Sequence, residues 1–211
     1  FLSLTLMLKK KKEYNIRINI IYHKIERNCR MRKEIRTVAS NLVFSHNQMK
    51  EIKAKIIIVM GVSGSGKTTL GKALSEQLHF SFIEGDDYHP TSNVQKMSRG
   101  IPLNDEDRKP WLQALNKVLK QQSSGAVLAC SALKENYRQQ LSHSLFPKPQ
   151  YVFIDCEKTA LEKRMQARKH FMPASLLQSQ LDTLEKPKEA LVINGNLAVD
   201  KQLTYIMNDL I

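Results

Sequence analysis

A lysine, a threonine and three glycines stand at fixed spacing in Gly61-Val62-Ser63-Gly64-Ser65-Gly66-Lys67-Thr68, with Thr69 directly behind. The octapeptide fits G-x-x-x-x-G-K-[ST], a loop whose backbone N–H groups cradle phosphates. Glycine lets the backbone turn tightly and approach an anion. The loop amides and the N-terminus of a following helix then face the phosphate oxygens. Lys67 reaches the outer phosphates of a nucleotide, and the Thr68 hydroxyl suits Mg²⁺. Gly61, Val62, Ser63, Gly64, Ser65, Gly66, Lys67, Thr68 and Thr69 are therefore the expected nucleotide-binding residues, with Thr68 as the metal ligand. A phosphate loop that transfers a phosphoryl group needs a carboxylate to orient the attacking hydroxyl. Asp86 is the best placed, in Phe80-Ser81-Phe82-Ile83-Glu84-Gly85-Asp86-Asp87. The competing reading of Asp86 is a turn-forming aspartate.

The elements that position these groups are legible in the pattern around them. Lys55 to Met60 is a short β-branched run, as expected of a strand buried on both faces. After the loop, Leu70, Ala73, Leu74 and Leu78 recur at helical spacing. Phe80 to Glu84 reads as a second strand ending at the paired carboxylates, and ligands of open parallel sheets bind beyond such ends. Residues 91–111 are polar and punctuated by Gly100 and Pro102, which suggests a substrate-facing insertion of short helices and loops. Pro110 is expected to open a helix whose apolar face is Trp111, Leu112, Leu115, Val118 and Leu119. Ala126 to Cys130, Tyr151 to Asp155 and Ala190 to Ile193 read as three further strands. A basic helix from Thr159 to Lys169 carries Arg164 and Arg168 four apart, on one face. Residues 174–184 and a closing stretch through Leu203, Ile206, Met207 and Leu210 are also helical. Strands alternating with helices imply an α/β fold, a five-stranded parallel sheet with helices on both faces.

Composition excludes several classes. The chain has 211 residues and a formal net charge of +13. Residues 1–48 hold 11 Lys/Arg against 3 Asp/Glu, while residues 49–211 hold 22 against 17. Most of the excess therefore lies outside the phosphate-loop region, and nucleic-acid binding is not expected of that region. No apolar run is long enough to span a membrane. Three widely spaced cysteines, Cys29, Cys130 and Cys156, form no disulfide framework and fit a reducing, cytoplasmic compartment. Residues 1–48 lack glycine and proline and show no sustained period. They are expected to be a basic extension, disordered or a wrongly extended start before Met49, with 49–211 as the catalytic domain. A transit peptide or a basic nucleic-acid-binding arm are the other readings of that segment.

Several blocks together resemble the gluconate kinase (gluconokinase) family: Met60 to Thr68, Gly85-Asp-Asp-Tyr-His-Pro90, Asn93 with Lys96-Met97, and Pro102-Leu-Asn-Asp105 with Asp107-Arg108. The resemblance continues through Pro110-Trp-Leu112, Cys130-Ser-Ala-Leu-Lys134 with Tyr137-Arg138, His170-Phe-Met-Pro173, Leu176-Leu-Gln-Ser-Gln180 and Thr183-Leu-Glu185. It covers about residues 55 to 194. One departure is Lys169 directly before His170, where the family carries a glycine in a lid-like segment. The resemblance implies a P-loop kinase fold like that of nucleoside monophosphate kinases, ATP and Mg²⁺ as co-substrates, D-gluconate as acceptor and a homodimer. A polyhydroxy carboxylate suits arginine, which binds carboxylates bidentately. Arg108, Lys134 and Arg138 are candidates for it, with His89 and Lys96 donating to hydroxyls alongside Asp86. Arg164, Arg168 and His170 would lie at the lid, Arg164 toward the nucleotide, Arg168 toward the transition-state charge and His170 toward the acceptor. An ordinary basic helix face is the plainer reading of the arginine pair.

Rival readings have their own markers. Shikimate kinase shares the loop but not the acceptor blocks. A regulatory GTPase would need Asn-Lys-x-Asp, and Asn116-Lys117-Val118-Leu119 lacks the aspartate. Asp155 mimics the strand-end aspartate that holds Mg²⁺ in other phosphate-loop proteins, yet it ends the fourth strand rather than the third. It reads as a strand-end or helix-capping residue, Cys130 as a buried strand residue and Trp111 as core.

Overall fold

In the computed structural model, residues 55–167 and 174–210 are described. Both stretches belong to one unit, Ile52–Ile211. The first strand, β1 (Ile56–Met60), is buried along its whole length. Its alternate side chains feed two cores, as the pleat requires. Ile56, Ile58 and Met60 join one core, and Ile57 and Val59 join the other. The chain then runs through α1 (Lys67–Leu78), β2 (Ser81–Glu84), a single 3-10 turn (Gly85–Tyr88), α2 (Thr91–Ser98) and α3 (Asp105–Lys120). It continues through β3 (Ala126–Ala129), α4 (Glu135–Ser142), β4 (Gln150–Asp155), α5 (Lys158–Ala167), α6 (Ala174–Thr183), β5 (Ala190–Asn194) and α7 (Val199–Leu210).

The five strands form one parallel sheet in the order β2-β3-β1-β4-β5. Ile57 stands beside Val127 of β3, and Val59 beside Val152 of β4. Trp111, Leu112 and Leu115 of α3 and Tyr137 and Leu141 of α4 cover one face. Leu70 and Leu74 of α1 and Ile206 and Leu210 of α7 cover the other. The α/β class and the two-faced sheet expected from the pattern are both present.

This order sets the place of the site. β1 and β3 are neighbours, yet their onward helices, α1 and α4, leave to opposite faces. A crevice opens beyond the carboxyl ends of strands at such a divergence. The loops leaving β1 and β3 touch there, with Gly61 N–H donating to Ser131 O at 3.4 Å.

One boundary differs from expectation. The helix assigned to Pro110 begins at Asp105, and Pro110 lies inside it. Asn104 caps it reciprocally: its side chain accepts from Asp107 N–H at 2.8 Å, and the Asp107 carboxylate accepts from Asn104 N–H at 3.0 Å. Three acidic residues fill the first turn, where the helix dipole favours them. The capping box outweighs the single intrahelical hydrogen bond that proline forfeits.

Among the described residues, no helix is long and apolar enough to cross a membrane.

Candidate active site

The phosphate loop joins β1 to α1. Gly66 is the N-cap of α1 with φ of 103°, a left-handed conformation that glycine adopts freely. No side chain caps this end and no acidic residue lies in its first turn, so its N–H groups and positive dipole end face outward to an anion. Lys67 folds back over the loop, its Nζ donating to Val62 O at 3.1 Å. Burial pulls the Lys67 ammonium below its ordinary range, and the Asp86 carboxylate opposes that pull.

Asp86 sits on the 3-10 turn after β2, and Gly85 fixes that turn against the sheet. A Cβ on Gly85 would lie 2.6 Å from the Ala129 carbonyl oxygen, so the turn can approach β3 only without a side chain. Trp111 holds it from the other side, donating its indole N–H to Gly85 O at 2.7 Å. The same indole stacks on His89, with ring centroids 4.2 Å apart. Asn93 bridges behind His89: its Nδ2 donates to Asp107 O at 2.8 Å and faces His89 Nδ1 at 3.3 Å. A donor at Nδ1 makes that nitrogen the acceptor and leaves the proton on Nε2. Nε2 in turn faces Asp86 Oδ1 at 4.0 Å. Burial lowers the His89 pKa, Asp86 raises it and Arg108 lowers it further. Burial thus disfavours the charged ring, and its Nε2 faces the Asp86 carboxylate.

Lys67, Asp86, His89 and Arg108 line one cavity, together with Ser131 and Gln180. Arg108 is fixed by a bond from its guanidinium to Leu103 O at 2.6 Å, and it lies 5.5 Å over the Tyr137 ring. A second cavity lies on the other side of the loop, lined by Gly64, Ser65, Gly66 and Thr69 with Arg164 and Gly195. Arg164 donates to Gly195 O at 2.7 Å and Ser65 O at 3.4 Å. A larger cavity, of about 840 Å³, lies between α4 and the segment before β5, and no phosphate-loop residue lines it.

Three of the expected acceptor cations are not brought to this cavity. Lys96 is paired with Asp107 at 2.6 Å. Lys134 is paired with Asp105, donating at 2.8 and 2.9 Å to its two oxygens, and both raises its own pKa and lowers that of Asp105 by that bond. Arg138 is buried and donates to Ala132 O, Leu133 O and Glu135, so it braces the loop after β3 from beneath. Asp105 also accepts from the Tyr137 hydroxyl. Arg168 and His170 lie outside the described residues, as do Lys169 and residues 1–48. Asp155 ends β4 and pairs with Lys186 at 2.9 Å. Asn116 donates to Leu141 O and His143 O, a packing role far from guanine recognition. Burial pushes the Cys130 thiol up to about 12, which leaves it inert.

Three site residues carry no role in the sequence reading. Glu84, the last residue of β2, accepts from the Thr68 hydroxyl at 2.7 Å. Burial raises its pKa, and the Thr68 bond opposes that rise. Trp111 reads as core from its spacing, and only the fold shows its N–H on the turn that carries Asp86. Gln180 reaches the loop from α6 and accepts Ser63 N–H at 2.7 Å. A strand-end carboxylate next to the Gly-Asp pair was the available signal for Glu84. For Gln180 no signal in the chain pointed to the loop.

A family model described as shikimate kinase matches residues 63–194, more than half of the chain. A gluconokinase of Gluconobacter oxydans (strain 621H) is 49% identical over 146 residues, covering 67% of this chain and 82% of that protein. The chain belongs to the gluconokinase family. A crystal structure of a gluconokinase from Sinorhizobium meliloti 1021 matches with a TM-score of 0.70 and 41% identity, covering 76% of this chain and 93% of that one. The shikimate kinase of Bacteroides thetaiotaomicron matches with a TM-score of 0.56 at 19% identity, covering 74% of this chain and 97% of that one, a likeness of fold alone. The P-loop kinase fold is common to the gluconokinase and shikimate kinase structures.

Proposed function

We propose that this gluconokinase-family protein transfers the γ-phosphoryl group of ATP to the primary hydroxyl of D-gluconate, giving 6-phospho-D-gluconate and ADP. The observation that carries this reading is the convergence of Lys67, Asp86, His89 and Arg108 on one cavity beside the phosphate loop. Phosphoryl transfer asks mainly for positioning and charge neutralisation. Asp86 accepts the hydrogen bond of the acceptor hydroxyl and takes its proton as the new O–P bond forms. The bond between the γ-phosphorus and the ADP oxygen breaks in line. Lys67 and the loop amides neutralise the charge gathering on the phosphates. His89 Nε2–H donates to a neighbouring hydroxyl of the acceptor, and Arg108 receives its carboxylate at the cavity's far side. Arg164 stands with the second cavity as a wall of the nucleoside site. Arg168 and His170 remain expectations for the transferring phosphate and the acceptor.

The donor set fits Mg²⁺. The Thr68 hydroxyl and the Glu84 carboxylate are hard oxygen ligands 2.7 Å apart at the phosphate end of the site. Mg²⁺ at kinase sites is held by one or two such groups together with substrate phosphates and water. When bound there it supplies neutralisation of the β- and γ-phosphate charge.

The test is ADP release by the full chain with Mg-ATP and D-gluconate, shikimate or no acceptor. ADP that depends on gluconate supports the reading, and turnover with shikimate would overturn the acceptor assignment. Residues 49–211 alone are expected to retain that activity. A homodimer is the expected assembly, checked by light scattering of the full chain.

A further inference from the structure

His89 and Asp86 line the same cavity, with Nε2 and Oδ1 4.0 Å apart, so the state of the ring bears on the use of the carboxylate. A neutral ring with its proton on Nε2 offers a donor and leaves the carboxylate free. A charged ring would hold that carboxylate in an ion pair. A neutral ring with its proton on Nδ1 would set a lone pair beside it, two acceptors together. Asp86 favours the charged ring, while burial and Arg108 oppose it, and Lys67 shares the cavity. With one proton on Nε2, a second would have to add at Nδ1, and the group that faces Nδ1 is Asn93.

Asn93 Nδ2 lies 3.3 Å from His89 Nδ1. Its other contact settles which way the carboxamide points. The same Nδ2 donates to Asp107 O at 2.8 Å, and a carbonyl oxygen only accepts, so nitrogen and not oxygen lies on this side. An amide nitrogen carries two hydrogens. One meets Asp107 O, and the other is left for Nδ1. Asp107 is itself held in place. Its carboxylate accepts from Lys96 Nζ at 2.6 Å and Asn104 N–H at 3.0 Å, and its own N–H donates to Asn104 at 2.8 Å. The ring is held as well, stacked on Trp111 with 14° between the planes. Asn93 is buried, so water does not readily take over its bonds. A proton arriving at Nδ1 would therefore meet an N–H that cannot turn aside without leaving Asp107 O.

We propose that Asn93 is a positioning residue: anchored on the Asp107 carbonyl, it locks His89 as the neutral ring with its proton on Nε2, so that Asp86 stands beside an uncharged donor and not beside a cation. The consequence for Asp86 rests on its reading as the base given above. The lock itself does not.

The chain has one tryptophan, and it is the residue stacked on His89, so indole fluorescence reports the charge of the ring. An imidazolium quenches a stacked indole more strongly than a neutral imidazole does. The full-length protein, Asn93→Ala, Asn93→Asp and His89→Gln are titrated from about pH 8 to about pH 5, and a transition missing from His89→Gln belongs to His89. In the wild type its midpoint is expected below about 6.5, or below the range altogether. Asn93→Ala removes the donor and should raise the midpoint by about half a unit to one unit, the size of one net hydrogen bond. Asn93→Asp sets a carboxylate against Nδ1 and should raise it by about one unit or more. Nitrogen–proton NMR spectra of protein labelled with nitrogen-15 in histidine read the tautomer at about pH 8: proton on Nε2 in the wild type, on Nδ1 in Asn93→Asp. The acid limb of kcat for gluconate-dependent ADP release should move with the fluorescence midpoint. A residue that merely supports the fold would lower Tm and leave midpoint and tautomer alone, and that result overturns the proposal. So does a wild-type ring with its proton on Nδ1 or a midpoint at or above about 6.5, which decides the matter even if the Asn93 variants do not fold. Midpoints that move while the acid limb of kcat stays in place overturn the link to Asp86. Absence of any turnover with gluconate overturns the acceptor reading, and the midpoints and the tautomer still judge the lock.

Discussion

Gly85→Ala tests whether the Asp86 carboxylate, the proposed base, is positioned by the close approach of its turn to the sheet. The added methyl would lie 2.6 Å from Ala129 O and 3.4 Å from the Cys130 Cα, against a floor near 3.0 Å that real Cβ contacts respect. Ala129 cannot yield, because β3 is paired with β1 and β2 on its two sides. The turn must therefore move outward by about half an ångström or more, taking Asp86 with it and stretching the Trp111 bond to Gly85 O. Misplacement of a reacting group by about 1 Å can cost about 100-fold in rate. The expected loss in kcat is thus about 10-fold to 100-fold, or about 1.4 to 2.8 kcal/mol of barrier. Overpacking of this kind also costs about 1 to 3 kcal/mol of stability, and each kcal/mol lowers Tm by about 2 to 4 °C in a chain of this size. KM for ATP should stay within about threefold, since the phosphate loop leaves a different strand. Steady-state ADP release with gluconate, and thermal unfolding followed by circular dichroism, measure both. A variant with kcat within twofold of wild type and unchanged Tm would refute the claim that this contact sets the position of Asp86.

Asp86→Asn should lower kcat by at least about 100-fold while nucleotide binding survives, and Lys67→Ala should remove nearly all transfer; retention of most of kcat by either variant in the ADP assay would show that the loop or the base is misread. Glu84→Gln should raise the Mg²⁺ concentration needed for half-maximal activity by about tenfold, and an unchanged Mg²⁺ titration would confine Glu84 to holding Thr68. His89 gives a pH test whose sign is set by burial, which lowers its pKa. As pH falls below about 6.5 the unfolded chain takes up the proton first, so stability present above that pH is lost on acidification. Wild-type Tm should therefore fall more steeply between pH 7 and 5.5 than that of His89→Gln; parallel curves would refute the assignment. Glu84, whose raised pKa works in the opposite direction, is common to both proteins and cancels in the difference.

The fold was legible because it rests on apolar periodicity. β1 reads as an unbroken apolar run since α1 and α7 cover one face and α3 and α4 the other. The nucleotide side was legible because its donors are backbone groups of a contiguous octapeptide. Local sequence therefore carries both the turn chemistry and the helix end that follows. The placement of Asp86 just beyond β2 was legible from the strand pattern before it. The start of α3 lies at the Asn104–Asp107 capping box rather than at Pro110, because the box satisfies two terminal N–H groups while proline only forgoes one bond inside the helix.

The acceptor side was less legible, and Arg108, Lys134 and Arg138 show why. All three are cations in the blocks that resemble the family, after strand ends or beside them. Their type and spacing do not distinguish them. Their partners do, and those partners lie 3 to 29 residues away along the chain. Lys134 is held by Asp105, and Arg138 by Glu135 and two carbonyl oxygens. Arg108 makes its bonds to Leu103 O and the Tyr137 hydroxyl at one end of its guanidinium, and it lines the cavity. A guanidinium has five donors, so two bonds anchor Arg108 without using its capacity to receive a carboxylate. Asp105 makes that division of labour possible. By taking both Lys134 and the Tyr137 hydroxyl it fixes the ring over which Arg108 lies, and it pairs the Lys134 charge within the frame. The cations of this face thus separate into one that lines the cavity and two that hold the frame, a distinction made by carboxylate placement rather than by the cations themselves.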